Sequence, residues 1–447
     1  MRRPWIRGVL AASVAGLGIG LAQQQVTLNV IGFKVPPNEA GTPLDKAYQE
    51  FIRQFEAANP GVKVNALETP PDFDTYILTA LASGTAPDVW SQDGSSLAKV
   101  AGSGQLLDME RCRQAVPSFN FSRFFPNVLA LHQGLEKGKT YGVPNDFTPM
   151  VMYYNPEAFK KANVPIPNKE NLTWDEFLNL TRRLTLDKNG KNALDPAFDR
   201  NNIEQYGFRV RKFPFEWVYW LWSNGGDVIS PDGKTASGYL DSPASLEAIT
   251  FLRDLMLRYY VSPTPSALDA LQANVGFLDL FLQGKVAIFP RGHWELVGLR
   301  SNKNYQPARV AVMGNPYKTR PVTVMYESGF VIPANISPEK LTATCKFIEA
   351  ATGPSYQNTK VLTGIAISGN QSVAANAISK APQPAVERAF FNQVRYARAP
   401  YGARYAAYPA VETVLESMME RILAGGEVKA EVAKAVQEIN RELSRGR

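Results

Sequence analysis

Apolar positions recur along this chain in two alternating rhythms. Residues 26–33, VTLNVIGF, form a β-rich run. Leu44, Ala47, Tyr48, Phe51, Ile52 and Phe55 then fall three or four residues apart, the spacing of one helix face. Asn59-Pro60-Gly61 stops that helix, and VKVNALE follows as a second strand. Strand, helix, strand is a βαβ opening, which predicts a parallel sheet and an α/β fold. The alternation continues. Residues 76–82 read as helix and Asp88-Val89-Trp90 as a short buried strand. Thr173 and Glu176 fit a capping box at the head of a helix over 173–186. Ser242 and Pro243 open another as N-cap and first residue. Val411, Leu415, Met418, Ile422 and then Val428, Val432, Val436 and Ile439 place two helices on either side of Gly425-Gly426. No segment repeats.

One stretch breaks the rhythm. Residues 141–165, YGVPNDFTPMVMYYNPEAFKKANVP, set Asn145, Asp146 and Thr148 directly before an unbroken apolar run, MVMYY. A continuous apolar strand is one buried on both faces. Three polar groups at its entrance suggest the mouth of a cleft.

The chain has 447 residues, enough for two domains. Its composition, 45% hydrophobic and 20% charged, is globular. The formal net charge is +7, of which Arg2, Arg3 and Arg7 supply three. The remaining basic residues are scattered, unlike the clustered Lys and Arg of a nucleic-acid binder, so no nucleic-acid partner is expected. The first 22 residues read as an export signal: a basic start, a short apolar run of about 15 residues, and small residues at Gly20 and Ala22. That run is short of the ~20 needed to span a bilayer. The expectation is a periplasmic protein cleaved near Gln23. Cys112 and Cys345 stand open as a disulfide or as two buried thiols, since spacing alone cannot place them within bonding distance.

Catalytic signatures are absent from the sequence. Two histidines, His132 and His293, lie outside any zinc motif. There is no nucleophile elbow, no Walker A loop and no complete dinucleotide loop. Asp187-Lys188-Asn189-Gly190-Lys191 has its glycine too early for a calcium loop and reads as a tight turn. No cofactor and no metal are expected. Carboxylate pairs that cleave glycosides lie far apart in sequence and leave no local trace.

Seven segments in order resemble one family, the extracellular solute-binding proteins of ABC importers, in the sugar-binding group that includes maltose-binding proteins. They are ALASGTAPDVW (80–90), the stretch over 141–164, TWDEFL (173–178), FLQGKVAIFPRGHW (281–294), SGFVIPANISPEK (328–340), KFIEAATGPSYQ (346–357) and the C-terminal LESMMERILAGGEV. The resemblance implies two lobes, each a mostly parallel sheet flanked by helices, with ligand closed between them. It implies three hinge crossings, near 146–148, 326–328 and 362–365. The lobes would then be 23–146 with 328–362, and 147–327 with 363–447. It further implies a small sugar ligand, membrane permease subunits as partners, a monomer, and no enzymatic turnover.

Sugars call for aromatic faces and for side chains that bind hydroxyl groups. Asp93 and Asp146 are the candidate hydroxyl acceptors, with Thr148 beside them. Trp294, in the Gly292-His293-Trp294 segment, is the candidate stacking ring by resemblance. Trp217 and Trp220 are three residues apart and share a face if helical; core packing is the plainer reading of both. Glu327, Ser328 and Gly329 stand where the family has a glycine-rich turn, and Glu327 departs from it. Arg404 is a candidate donor, with a surface ion pair as its plainer role. A binder of glycerol phosphate or a glycerophosphodiester is the alternative within the family; Gly292-His293-Trp294 and Ile365 depart from that subgroup.

Overall fold

The computed structural model describes residues 25–133 and 136–445. The expected export signal, residues 1–22, lies outside the described residues. Twelve strands are present in the described residues. In chain order they are β1 (Val26–Ile31), β2 (Val62–Leu67), β3 (Val89–Asp93), β4 (Val143–Pro149), β5 (Val151–Tyr154), β6 (Leu186–Asp187), β7 (Ile203–Gln205), β8 (Ile288–Arg291), β9 (Ala311–Met313), β10 (Thr323–Val331), β11 (Ile367–Ser368) and β12 (Ala397–Arg398). The large sheet has the order β2-β1-β3-β10-β4-β11, with β12 against β10. A second sheet has the order β8-β5-β9, and β6 pairs β7 as a small ribbon.

The helices form where the apolar spacing places them. Thr42 caps Pro43–Ala58 through the backbone N–H of Asp45. The capping box of Thr173 and Glu176 is complete at the head of Trp174–Leu184. Ser242 accepts from the N–H of Ser245 at the head of Pro243–Leu257. Asp187 accepts three backbone N–H groups, those of Asn189, Lys191 and Asp199, so the segment is the tight turn its sequence predicts, closed by its own carboxylate.

The expectation of mostly parallel sheets needs correction. Only β2-β1-β3 and the short β10–β12 pair run parallel. The pairs β3–β10, β10–β4 and β4–β11 are antiparallel, as are both pairs of the second sheet. The reason is the chain's path. It leaves the large sheet along β4, builds the second lobe, and returns along β10, so the outgoing and returning strands run in opposite directions.

One hydrophobic core lies under β1 and β3. Phe33 stacks on Phe51 and Phe330 there, at ring separations of 5.2 and 5.6 Å. Cys112 and Cys345 are fully buried in it and form a disulfide. A second core collects Trp174, Trp217, Trp220 and the buried faces of Tyr408–Leu423 and Val428–Arg445. β5 explains the unbroken run of the sequence: Met150 and Met152 point into this second core, while Val151 and Tyr153 point into a third cluster with Phe281, Phe289 and Phe390. Both faces of the strand are covered, so no polar position survives along it.

Candidate functional site

A row of polar side chains crosses the large sheet where β3 ends. Ser328 on β10 lies opposite Asp93 on one side and opposite Asp146 on the other. Residues in register on neighbouring strands project to the same face. The row therefore opens at the carboxyl end of a parallel strand, the place where α/β sheets offer a ligand crevice. The cleft above it has a volume of about 240 Å³. Asp93, Asp146, Thr148, Trp294, Glu327 and Ser328 all contribute to its lining.

The row is braced from below. A bulge between Ser328 and Gly329 leaves Asn145 without a partner in the ladder, and such bulges re-aim side chains. The Asn145 amide donates to Asp146 (3.1 Å) and Ser328 (3.2 Å), and its oxygen accepts from Lys360 (2.7 Å) and Gln357 (3.2 Å). Lys360, only 3% exposed, also donates to Asp146 at 2.5 Å. Ser328 donates its hydroxyl to the other Asp146 oxygen at 2.8 Å. Asp146 thus neutralises a buried cation and ties Pro354–Leu362 to β4.

Asp93 is placed differently. Its carboxylate accepts from the N–H of Ser95 at 2.8 Å and otherwise opens to the cleft. The concave walls replace much of its water, and with Glu327 and Asp74 nearby its pKa is pushed up to about 6. Glu412, on the helix Tyr408–Leu423, rises to about 7, first through burial and then through the charges of Glu416 and Asp93.

Trp294 is held by a tight loop after β8. A Cβ on Gly292 would sit 2.1 Å from the Trp294 ring, so only glycine lets the indole fold over that position. Thr148 accepts from the N–H of His293 at 2.8 Å and donates to the Pro149 carbonyl at 3.0 Å. Its hydroxyl is thus engaged in positioning the loop. His293 is fully buried between Gly364 (2.8 Å) and Glu387 (2.5 Å). The bonds from His293 and Arg300 outweigh the burial that would raise the Glu387 pKa and hold it below the usual carboxylate range. The half-buried Trp294 ring meets Tyr326 edge-on at 6.2 Å, and Tyr326 meets Phe215 at 6.3 Å. An aromatic wall therefore faces the polar row.

Other candidates lie elsewhere. Trp217 and Trp220 are 1% and 0% exposed. Trp220 packs on Trp174, Phe177 and Phe251, each at 5.7 Å, and the Trp217 indole donates to the Lys212 carbonyl. Both belong to the second core: Trp220, on the six-residue helix Val218–Ser223, and Trp217, just before it, are enclosed by apolar neighbours. The Glu327 carboxylate has no exposed surface and lies 2.9 Å from the His132 ring. Alternation along β10 sends it to the back of the sheet while Tyr326 and Ser328 face forward. Gly329 makes room for His132, whose ring would be 2.0 Å from an added Cβ. Arg404 is exposed in a separate groove with Asp227 and Tyr405. Sequence reasoning missed Tyr48, Ser91, Tyr326 and Lys360 as cleft residues. Lys360 had a readable signal: with Tyr356, Gln357 and Val361 it shares the buried helix face.

Residues 50–386 match the family model of the bacterial extracellular solute-binding proteins. The chain belongs to that family. It is 27% identical over 298 residues to a Brucella abortus protein named only as a binding protein, covering 64% of this chain and 62% of that one; the chain thus spans less than two thirds of that relative's length. A maltodextrin-binding protein of Bacillus subtilis is 25% identical over 323 residues, 69% of this chain and 67% of that one. Among solved structures, an ABC substrate-binding protein of Listeria monocytogenes in complex with cycloalternan superposes with a TM-score of 0.78 at 21% identity, over 94% of this chain and 100% of that chain. The two-lobed architecture of this solute-binding family is therefore the architecture here. No helix of the described residues is long and apolar enough to cross a membrane.

Proposed function

We propose that this chain is the exported binding component of an ABC importer and captures a mono-, di- or small oligosaccharide in the cleft, for delivery to membrane permease subunits. The observation that carries this reading is the row Asp93–Ser328–Asp146 facing the aromatic wall of Trp294 and Tyr326. Carboxylates accept sugar hydroxyls, and rings cover the C–H faces. The chain acts as a monomer, released into the periplasm after cleavage near Gln23, and binds without turnover. Its lobes are 23–146 with 328–362, and 147–327 with 363–447, and they close on ligand by a hinge motion.

A glycerophosphate ligand is less well supported. A phosphate site wants an unpaired cation and several donors. The cation lining this cleft is Lys360, already paired with Asp146, and Arg404 stands outside it.

A thermal-shift screen of the mature chain against sugars and glycerophosphodiesters tests the reading. A 1 mM sugar with micromolar Kd stabilises by about 4 kcal/mol, without products in the same sample. Cleavage of the sugar, or stabilisation by glycerophosphodiesters alone, overturns it.

A further inference from the structure

The floor of the cleft has a second layer behind it. Along β10, Tyr326 and Ser328 face the cleft, and Glu327 between them points to the back of the sheet. Its carboxylate meets the His132 ring there, with Nε2 2.9 Å from one oxygen, and neither side chain is exposed. Among the described residues, neither carboxylate oxygen and neither ring nitrogen has a further hydrogen-bond partner. Glycines enclose the pair. A Cβ on Gly94 would lie 2.0 Å from Glu327 Oε1, and one on Gly142 would lie 2.8 Å from His132 Nδ1. Gly329 leaves room for the other edge of the ring.

A buried pair of this kind adds little stability over apolar residues of the same volume. The space made for it needs another reason, and its position supplies one. Gly94 follows Asp93, and its N–H donates to the Glu327 carbonyl at 2.9 Å. The Glu327 side chain then fills the space directly behind Gly94. Main chain and side chain of one residue thus fix the turn that carries Asp93 out of β3. A separate line of bonds holds the far side of that turn: Trp90 donates to Gln92 at 2.9 Å, Gln92 to Ser96 at 2.8 Å, and Ser96 to Asp74 at 2.9 Å. Charge acts along the same path. Glu327 and Tyr326 face Asp93 from β10, Asp74 from the helix Phe73–Ser83 and Glu412 from the helix Tyr408–Leu423. Asp146, across the row, is neutralised by Lys360. Burial comes first in raising the Asp93 pKa to about 6, its bonds to Ser95 act against that, and the charge of Glu327 adds more to the rise than that of Asp74.

We propose that Glu327, anchored by His132, is a positioning residue of the site: it holds Asp93 at the end of β3 in line with Ser328 and acts on the Asp93 carboxylate through its own charge. The proposal rests on the reading of the cleft as a sugar site. Turned to His132, the Glu327 carboxylate works through Asp93 and not on the sugar itself. Asp93 is the acceptor that must be ionised to take two hydroxyl donors, so the residue behind it governs both where that acceptor stands and when it is ready.

Two measurements on the mature chain test it. The first needs no ligand: carbon NMR of the side-chain carboxyls across a pH titration, with the Asp93 signal assigned by Asp93→Asn. Glu327→Gln keeps the size of the side chain and a hydrogen bond to His132, and removes the charge. The Asp93 midpoint is expected to move down by about half a pH unit or more in this variant, because a like charge nearby is gone. An unchanged midpoint overturns the proposal whatever the ligand is. The second is titration calorimetry between pH 5 and pH 8 with a panel of neutral mono-, di- and trisaccharides, glucose, maltose and maltotriose among them. Glu327→Ala is expected to bind tenfold or more weakly at pH 8, and Glu327→Gln to recover most of that loss and to hold its affinity to lower pH than the parent chain. Full affinity in Glu327→Ala overturns the positioning role, as does a Glu327→Gln variant whose affinity falls at the same pH as that of the parent. If the alanine variant does not fold, the pH profile of the glutamine variant decides alone. If no sugar binds the parent chain while the midpoint moves, the sugar reading fails and the link between Glu327 and Asp93 holds.

Discussion

Two tryptophans of this chain lie in opposite surroundings. Trp220 is enclosed by Trp174, Phe177 and Phe251, whereas Trp294 lies half-buried on a glycine loop with one edge toward Tyr326. The residue type is the same and the neighbours differ. Trp220 sits within a run of apolar residues, so every direction around its helix is filled. Trp294 follows Gly292 and His293, and both serve the loop: one by leaving space, the other by bonding to Thr148, Gly364 and Glu387. A ring for a ligand needs a scaffold that keeps it out of the core.

The contrast can be broken by substitution. Trp220→Ala is expected to cost about 3–5 kcal/mol of stability, as for other large-to-small core changes, and a denaturant melt reads it directly. Asp146→Ala should cost a similar ~3–5 kcal/mol, because Lys360 is then buried without its counter-charge; Asp146→Ala with Lys360→Met should recover most of the loss. Trp294→Ala is expected to weaken sugar binding by about 2–4 kcal/mol, as for buried aromatic anchors, with little change in melting temperature. A Trp294→Ala chain that binds sugar normally, or that unfolds, would merge the two tryptophan classes.

The smallest expected effect is on pH. Glu412 and Asp93 have folded pKa values raised to about 7 and 6. A carboxyl raised on folding takes up its proton in the native state before the unfolded chain does, so stability rises as pH falls through those values toward the unfolded ones near 4. Melting temperatures should therefore climb between pH 8 and pH 5, and Glu412→Gln should flatten the slope. Glu387 acts the opposite way, but its contribution is lost only below its unfolded value, outside that window. Sugar affinity should fall below pH 6 as Asp93 is protonated, which separates ligand binding from stability.

The sequence shows the helices clearly because caps and apolar spacing are local. Thr173 with Glu176 and Ser242 with Pro243 carry their own instructions. Strand partners are not local: nothing in β4 or β10 says that one runs out and the other back. Two of the candidate positions, Asp146 just before the apolar run of β5 and Asp93 at the end of β3, do line the cleft. The sequence is mute where one step along a strand decides the face: Glu327 borders the cleft but turns its carboxylate to His132, while Tyr326 and Ser328 turn in. Arg404 offers a donor by residue type, and residue type does not fix position in space: it lies in a separate groove.

The bond between Cys112 and Cys345 joins residues 233 positions apart. The chain between them includes β4, β5, β8, β9 and β10, so both sheets and the cleft draw on one covalent ring. A protease that cuts once inside that ring therefore cannot part the molecule. The two fragments stay bound as a single species until a reductant is added, and the clipped protein would pass on a non-reducing gel as one chain.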